Sequence, residues 1–345
     1  MTTKAETGID VRDTDMPTRS LPVMDLGPYF AGRPGALEPL AEEWREACEG
    51  VGFLCLVNHG LAQAEIERME TEVRRFHALP ADDKLAIKVN EHQRGFIPGK
   101  ATILTHSKYE THTKLDSVEC LVLATEYDDD DPHVRAGKQF YARNQWPQSL
   151  PGFREAVTGY MSRVMHICKR TLPIWDAALE LEPGYFEPYF EQSYTYFRLA
   201  RYPKIDFVGE HEFGLGAHAD TGFMTFLPPA KEQGLQVLDT DGVWFWPDVP
   251  EGGIILNIGQ FLERWTNERF RATPHRVLPP RHNDRYSFAC FVNTSLDTEV
   301  ECLKTCTGPD NPPKYPRESY WDFYQWYMSR TYTHYGKVKG EEAAE

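Results

Sequence analysis

The sequence lacks a membrane signature, a disulfide or zinc framework, and any excess of positive charge. No 18 consecutive apolar residues occur, so no spanning helix is expected. The stretch from Met1 to Arg19 is polar and charged, without the apolar run of a secretory leader. The seven cysteines (48, 55, 120, 168, 290, 302 and 306) are odd in number and form no CxxC or Cys/His zinc spacing. That pattern predicts free thiols in a reducing compartment and a cytoplasmic location. Lys plus Arg number 37 against 52 Asp plus Glu, a net charge of −15. A surface of that sign repels phosphate, which argues against nucleic acid or an anionic membrane as partner. No internal repeat or linker divides the chain, and no obligate protein partner is evident.

What is present changes character along the chain. Residues 1–20 carry no periodicity and are expected to be disordered. Residues 21–26 alternate and predict a short strand. Leu37, Leu40, Trp44 and Ala47 recur at helical spacing ahead of Gly50 and Gly52. Residues 53–57 read as a buried strand, 58–60 as a turn, and 63–77 as a charged helix. Phe153, Val157, Tyr160, Val164, Ile167, Leu172 and Trp175 mark one face of a long helix that Pro173 is expected to kink or cut. From residue 193 the period becomes two. Short strands are predicted at 193–199, 223–227, 234–238, 243–246, 254–258, 275–278 and 285–292, the pattern of a sandwich or jelly roll. Helical character returns with Tyr320, Phe323, Tyr324 and Tyr327.

Within the β-rich half, His218-Ala219-Asp220 sets two metal-competent side chains two residues apart, on one face of an extended segment. His275, on a later strand, can supply a third. Two imidazoles and a carboxylate on one face of an octahedral ion leave three positions open, which suits an O2-activating Fe(II) centre. Arg285-Tyr286-Ser287 then points a guanidinium and a hydroxyl the same way, a pair suited to a carboxylate. One His-x-acid triplet decides nothing, because this composition yields about two by chance. The second is His282-Asn283-Asp284, with His334 downstream and Arg317-Glu318-Ser319 between. Order separates the sets. After Asp284 comes one strand and then helical sequence. After Asp220 come four strands, then His275, then Arg285 and Ser287.

Phe291 shares strand parity with Arg285, Ser287 and Ala289, so it is expected to face the same cavity and is a candidate for substrate contact. The other features have plainer readings. Cys302 and Cys306 are incidental, 128–131 is a solvated acidic loop, His211 and His282 are surface residues, and Asn58-His59-Gly60 is a packing turn.

Several segments carry a family pattern in order. They are Gly52-Phe53-Leu54-Cys55-Leu56-Val57-Asn58-His59-Gly60, Phe76-His77-Ala78-Leu79-Pro80, Arg94-Gly95-Phe96, Asn144-Gln145-Trp146-Pro147, Gly214-Leu215-Gly216-Ala217, His218-Ala219-Asp220-Thr221-Gly222-Phe223, Gly234-Leu235-Gln236-Val237, Asn257-Ile258-Gly259, Trp265-Thr266-Asn267 and His275-Arg276-Val277. Over about 21–335 the chain resembles the isopenicillin N synthase-like branch of the non-haem Fe(II)- and 2-oxoglutarate-dependent oxygenases. The resemblance implies His218, Asp220 and His275 as iron ligands. It implies Arg285 and Ser287 on the 5-carboxylate of 2-oxoglutarate, and Tyr202 as a further cosubstrate contact. Ala200 stands where many members carry Asn, and Gln260 replaces a common Asp, a change expected to be structural.

The fold expected is mainly β with α: a double-stranded β-helix (jelly roll) flanked by N- and C-terminal helices. After the 1–20 tail, residues 21–345 form one oxygenase domain. It comprises an N-terminal dioxygenase region at 21–150, a jelly-roll core at 190–300 and a C-terminal helix at 315–335. The resemblance implies an oxidoreductase with Fe(II) as cofactor and 2-oxoglutarate and O2 as cosubstrates. It would hydroxylate, desaturate or cyclise a small organic molecule and release succinate and CO2. Two alternatives remain at this point: a 2-oxoglutarate-independent Fe(II) oxidase of the same fold, and a non-catalytic jelly-roll binding protein. A specialised metabolite or a modified amino acid or peptide is the substrate class implied.

Overall fold

A computed structural model describes residues 10–13, 15–101, 109 and 114–331. The strands of its two main sheets are, in chain order, β1 (Thr18–Ser20), β2 (Val23–Asp25), β3 (Phe53–Val57), β4 (Gly95–Ile97), β5 (Glu119–Ala124), β6 (Thr195–Tyr202), β7 (Leu215–His218), β8 (Met224–Leu227), β9 (Leu235–Leu238), β10 (Trp244–Asp248), β11 (Ile254–Ile258), β12 (His275–Val277) and β13 (Arg285–Val292). The larger sheet has the order β2-β3-β11-β8-β13-β6-β5-β4 and the smaller β1-β10-β9-β12-β7. Pairing is antiparallel except for β1 on β10 and β2 on β3.

Period-two alternation makes the larger sheet two-sided. Phe53 and Cys55 of β3 point between the sheets, into a core shared with Leu215, Leu235, Val237 and Val277 of the smaller sheet. Leu54 and Leu56 point the other way, into a core shared with the helices. Helices Leu37–Glu49, Gln63–His77 and Phe153–Ala178 bury their apolar stripes there. Trp44 meets Trp175 edge-on at 5.1 Å, and Tyr160 packs on Phe197 and Phe288 at 5.8 and 5.6 Å. The cavity that holds the site lies between the sheets and is lined by residues of both.

Three expectations are corrected. Pro173 does not cut its helix, which runs unbroken over Phe153–Ala178. Leu172, Ile174 and Trp175 are buried around it, and packing on both sides of the lost N–H outweighs the local penalty. Part of the tail is ordered. Val11–Asp13 forms a 3-10 turn, Arg12 donates to Ile205 O at 2.8 Å, and β1 joins the smaller sheet. Those partners lie some 190 residues or more away in sequence, so local composition does not reveal them; residues 1–9 and 14 fall outside the described residues. Strand β7 was not among the strands predicted, because Gly216 and Ala217 are poor strand formers; its edge is pinned where Gly216 N–H donates to Asp116 at 3.0 Å. Helical character returns as expected at Tyr320–Thr331, and its aromatic stripe packs into the core: Tyr320 and Phe323 lie on Phe261 at 4.8 and 5.8 Å. Residues 332–335 of the expected helix lie outside the described residues. No helix among the described residues is long and apolar enough to cross a membrane.

Candidate metal centre

Strand pairing brings the two histidines together. β12 is antiparallel to β7, with His275 opposite His218, and the rings lie 4.4 Å apart. Asp220 sits two residues beyond His218, just past the strand end. Its turn is held by Gln260, whose N–H donates to Asp220 O at 2.7 Å and whose side-chain amide donates to Ala219 O at 2.9 Å. The Asp that Gln260 replaces is thus exchanged for a residue with a structural task.

Each donor is oriented by a neighbour. His218 Nδ1 lies 2.8 Å from Gly216 O and His275 Nδ1 lies 3.1 Å from Thr273 O. A carbonyl only accepts, so both Nδ1 atoms carry the proton and both Nε2 lone pairs are free. Those Nε2 atoms stand 3.7 and 3.6 Å from Asp220 Oδ1. Asp220 Oδ2 is occupied by Thr225 Oγ1 at 2.6 Å and Asn257 Nδ2 at 2.7 Å, which leaves Oδ1 to converge with the imidazoles. One ligand atom from each of the three residues lies within 4.8 Å of the others. Burial, then the adjacent His275, pushes His218 down to about 3, so its imidazole is neutral at pH 7. For Asp220, burial pushes upward, but the two rings and the Asn257 and Thr225 hydrogen bonds outweigh it and hold the carboxyl below its ordinary range. Neutral imidazole with ionised carboxylate is the state that binds a divalent cation.

The same cavity continues along β13. Arg285, Ser287, Ala289 and Phe291 line it, as the parity predicts. Register places Tyr202 opposite Arg285 and Ala200 opposite Ser287. Arg285 is 3% exposed, and its Nε and Nη1 are buried without a hydrogen-bond partner. Its guanidinium sits 5.0 Å from the centre of the Tyr202 ring. Close approach explains two glycines of the sequence pattern. A Cβ on Gly234 would come within 2.9 Å of Arg285 Cδ, and one on Gly214 within 2.7 Å of Tyr202 Cδ1. The free volume there is about 50 Å³. A wider surface groove of about 760 Å³ beside Met161 and His166 holds no convergent donor triad among the described residues.

The competing set does not assemble. His282 is exposed, Asp284 pairs with Arg201 at 2.8 Å, and the exposed Arg317 pairs with Glu299. His334 lies outside the described residues. His59 is a turn residue: Nε2–H donates to Gly252 O at 2.9 Å and Nδ1 accepts from Leu61 N–H. In the acidic loop, Arg143 pairs with Asp128 and Asp129, and Asp131 caps helix Pro132–Arg135. Residue reasoning missed Thr225 and Asn257 as supports of Asp220. Their signal was a polar residue inside an otherwise apolar, largely buried strand.

Comparison with known proteins adds to this geometry. The model for the non-haem dioxygenase in morphine synthesis N-terminal region matches residues 21–149, and that for the 2OG-Fe(II) oxygenase superfamily matches residues 194–294. The 2-oxoglutarate-Fe(II) type oxidoreductase hxnY of Emericella nidulans is 30% identical over 86% of this chain and 85% of its own length. A crystal structure of a 2OG-Fe(II) oxygenase family protein from Caulobacter crescentus is 29% identical, with a TM-score of 0.76 over 89% of this chain and 97% of that one. Neurospora crassa T7H, solved with alpha-KG and thymine, shares the fold at 22% identity, with a TM-score of 0.77 over 90% of this chain and 96% of that one.

Proposed function

The chain belongs to the 2OG-Fe(II) oxygenase superfamily, and from that premise we propose that His218, Asp220 and His275 hold its Fe(II) while Arg285, Ser287 and Tyr202 hold 2-oxoglutarate. The protein is a 2-oxoglutarate- and Fe(II)-dependent dioxygenase with a jelly-roll core. When bound, Fe(II) supplies O2 activation coupled to oxidation of 2-oxoglutarate to succinate and CO2, directed at a C–H bond of a small organic substrate. Nothing in the comparisons favours the oxidase or the non-catalytic alternative.

The single observation that carries the residue assignment is Arg285. A buried guanidinium with two unpaired donors is costly unless an anion completes it. A carboxylate does so in two parallel hydrogen bonds, and Ser287, on the same strand face, adds a hydroxyl beside it. Tyr202 supports the guanidinium from below. The two Nδ1–H anchors keep both Nε2 lone pairs inward, and Asn257 and Thr225 hold Asp220 from turning. Phe291 borders the substrate side of the cavity, some four residues beyond Ser287.

The reading takes 21–345 as one domain, because β2 to β5 from the N-terminal match share a sheet with β6, β8, β11 and β13. It includes no nucleic-acid, membrane or obligate protein partner, on the −15 charge, and a cytoplasmic setting, on seven buried free thiols. Titration of 2-oxoglutarate into the Mn(II)-loaded protein tests the cosubstrate assignment. Arg285→Ala is expected to weaken binding by about 2–5 kcal/mol, roughly 30- to several-thousand-fold. Unchanged affinity in the folded variant would remove Arg285 from the cosubstrate site.

A further inference from the structure

His218 is carried by an edge strand. β7 ends the smaller sheet and among the described strands pairs only with β12, where the register shifts between His275 and Val277. Gly214 and Gly216 precede His218 closely, and glycine does little to fix its own backbone. Yet the aim of His218 depends on that backbone, because its Nδ1–H donates to Gly216 O at 2.8 Å. Whatever fixes residue 216 therefore fixes the direction of the Nε2 lone pair.

The segment leading into β5 closes that edge from outside. Ser117 N–H donates to Phe213 O and Val118 N–H to Gly214 O, both at 3.1 Å. At Gly216 a side chain takes over: the Gly216 N–H donates to Asp116 Oδ1 at 3.0 Å. Since β5 belongs to the larger sheet, Asp116 ties the ligand strand of one sheet to the other. The carboxyl is costly where it stands. It is 1% exposed, and its Oδ2 is buried without a hydrogen-bond partner. Burial pushes it up to about 7, against the Gly216 hydrogen bond and the charge of Arg198. A leucine fills a similar volume without the cost of a buried polar group, but it cannot accept from Gly216.

We propose that Asp116 is a positioning residue of the metal centre: by holding the Gly216 N–H it fixes the residue whose carbonyl orients His218. This deepens the function proposed above and rests on His218 being a metal ligand. Asp116 is not among the residues that line the cavity, so it acts through Gly216 and not by contact with metal or substrate. The chain of bonds runs from Asp116 Oδ1 to Gly216 N–H, and from Gly216 O to His218 Nδ1–H. Loss of the first bond leaves an edge glycine with one anchor fewer, and the ring then samples directions that no longer converge with Asp220 and His275.

The test compares Asp116→Leu, which removes the acceptor, with Asp116→Asn, which keeps an oxygen in its place. Co(II) affinity of the full chain is read by calorimetry, beside the denaturant midpoint and the paramagnetically shifted Nδ1–H signal of His218 in the Co(II)-loaded protein. Affinity is expected to fall about tenfold in Asp116→Leu and to recover to within about threefold of wild type in Asp116→Asn. The His218 signal should shift and broaden in Asp116→Leu alone. A lower midpoint in Asp116→Leu with affinity and signal unchanged means packing only and overturns the proposal. An equal loss of affinity in both variants overturns it as well. If Asp116→Leu does not fold, the wild-type Gly216 amide decides: slow hydrogen exchange supports the anchor, and exchange at the rate of an exposed amide overturns it. His218→Ala, measured alongside, separates the premise. Wild-type Co(II) affinity in that variant would sink the ligand assignment itself, whereas its loss there with retention in Asp116→Leu would sink only the role of Asp116.

Discussion

Along β13, residues 286, 288, 290 and 292 face the helices, and residues 285, 287, 289 and 291 face the smaller sheet. The first set is packed among aromatics: Phe288 lies against Tyr160, and Tyr286 lies under the Arg74 guanidinium at 4.2 Å. The second set presents a buried guanidinium, a buried hydroxyl and a half-buried ring to a cavity. One strand thus carries a face satisfied by the fold itself and a face incomplete without a ligand. The division follows from the period of two, which needs no change of backbone to switch chemistry at each residue. The helix face holds the sheet rigid so that the other face can keep unpaired donors in place.

The sharpest way to break this comparison is to delete donors from the cavity face. His218→Ala, Asp220→Ala and His275→Ala are each expected to abolish Fe(II)-dependent succinate formation and leave the fold intact, because one of three protein ligands is lost from a site that keeps three exchangeable positions. Asn257→Ala should weaken metal binding by about 10- to 100-fold, since it frees Asp220 to turn. Full activity in His275→Ala would disprove the assignment of the triad. Arg285→Lys should restore little of the cosubstrate affinity lost in Arg285→Ala, because a point charge lacks the planar fork.

The helix face should respond in the opposite way. Phe288 is 5% exposed in the main core. Phe288→Ala is expected to destabilise the protein by about 3–5 kcal/mol, read as a lower denaturant midpoint. In the remaining folded fraction, 2-oxoglutarate affinity should stay near wild type. If the variant loses cosubstrate affinity at unchanged stability, the two faces are not independent.

Much of this division was legible in the sequence, because parity is a local property. The face shared by Arg285, Ser287 and Phe291 needed only the strand. The pairing of His218 with His275 needed the order of strands as well, and the family pattern supplied it. What stayed hidden depends on partners far apart in the chain. Asp10 and Arg12 are ordered by contacts beyond residue 200, and Pro173 is tolerated because of the packing around it. The support of Asp220 by Thr225 and Asn257 arises because β8 and β11 are adjacent, with Asn257 opposite Thr225.

Acidification probes both faces at once. Burial lowers the pKa of His218 in the cavity to about 3, and it also lowers that of His77 on the helix side, where Glu119 pulls the other way. A histidine held neutral in the folded state takes up its proton only on unfolding near pH 6.5. Stability is therefore complete above that value and falls as pH drops below it. The expected slope in metal-free protein approaches about 1.4 kcal/mol per pH unit for His218 as pH falls from 6.5 to 5, and His77 adds a contribution of the same sign. His218→Asn should remove one histidine's share of the slope. An unchanged slope would mean that His218 does not titrate as a buried neutral group.

The smallest effect expected is at Phe291, and it tests where the cavity face passes from cosubstrate to substrate. Its ring lines the cavity and is only half-buried, held edge-on by Tyr196. Truncation therefore removes little from the core. It does remove the apolar wall that a substrate would press against. Phe291→Ala is expected to cost about 1–3 kcal/mol in substrate kcat/KM, or to shift the position oxidised, with 2-oxoglutarate affinity unchanged. The measurement is substrate KM and product distribution beside 2-oxoglutarate binding in the same protein. Unchanged substrate parameters in a folded variant would assign Phe291 to packing with Tyr196 alone. A parallel loss of 2-oxoglutarate binding would move the boundary between the two ends of the cavity beyond Phe291.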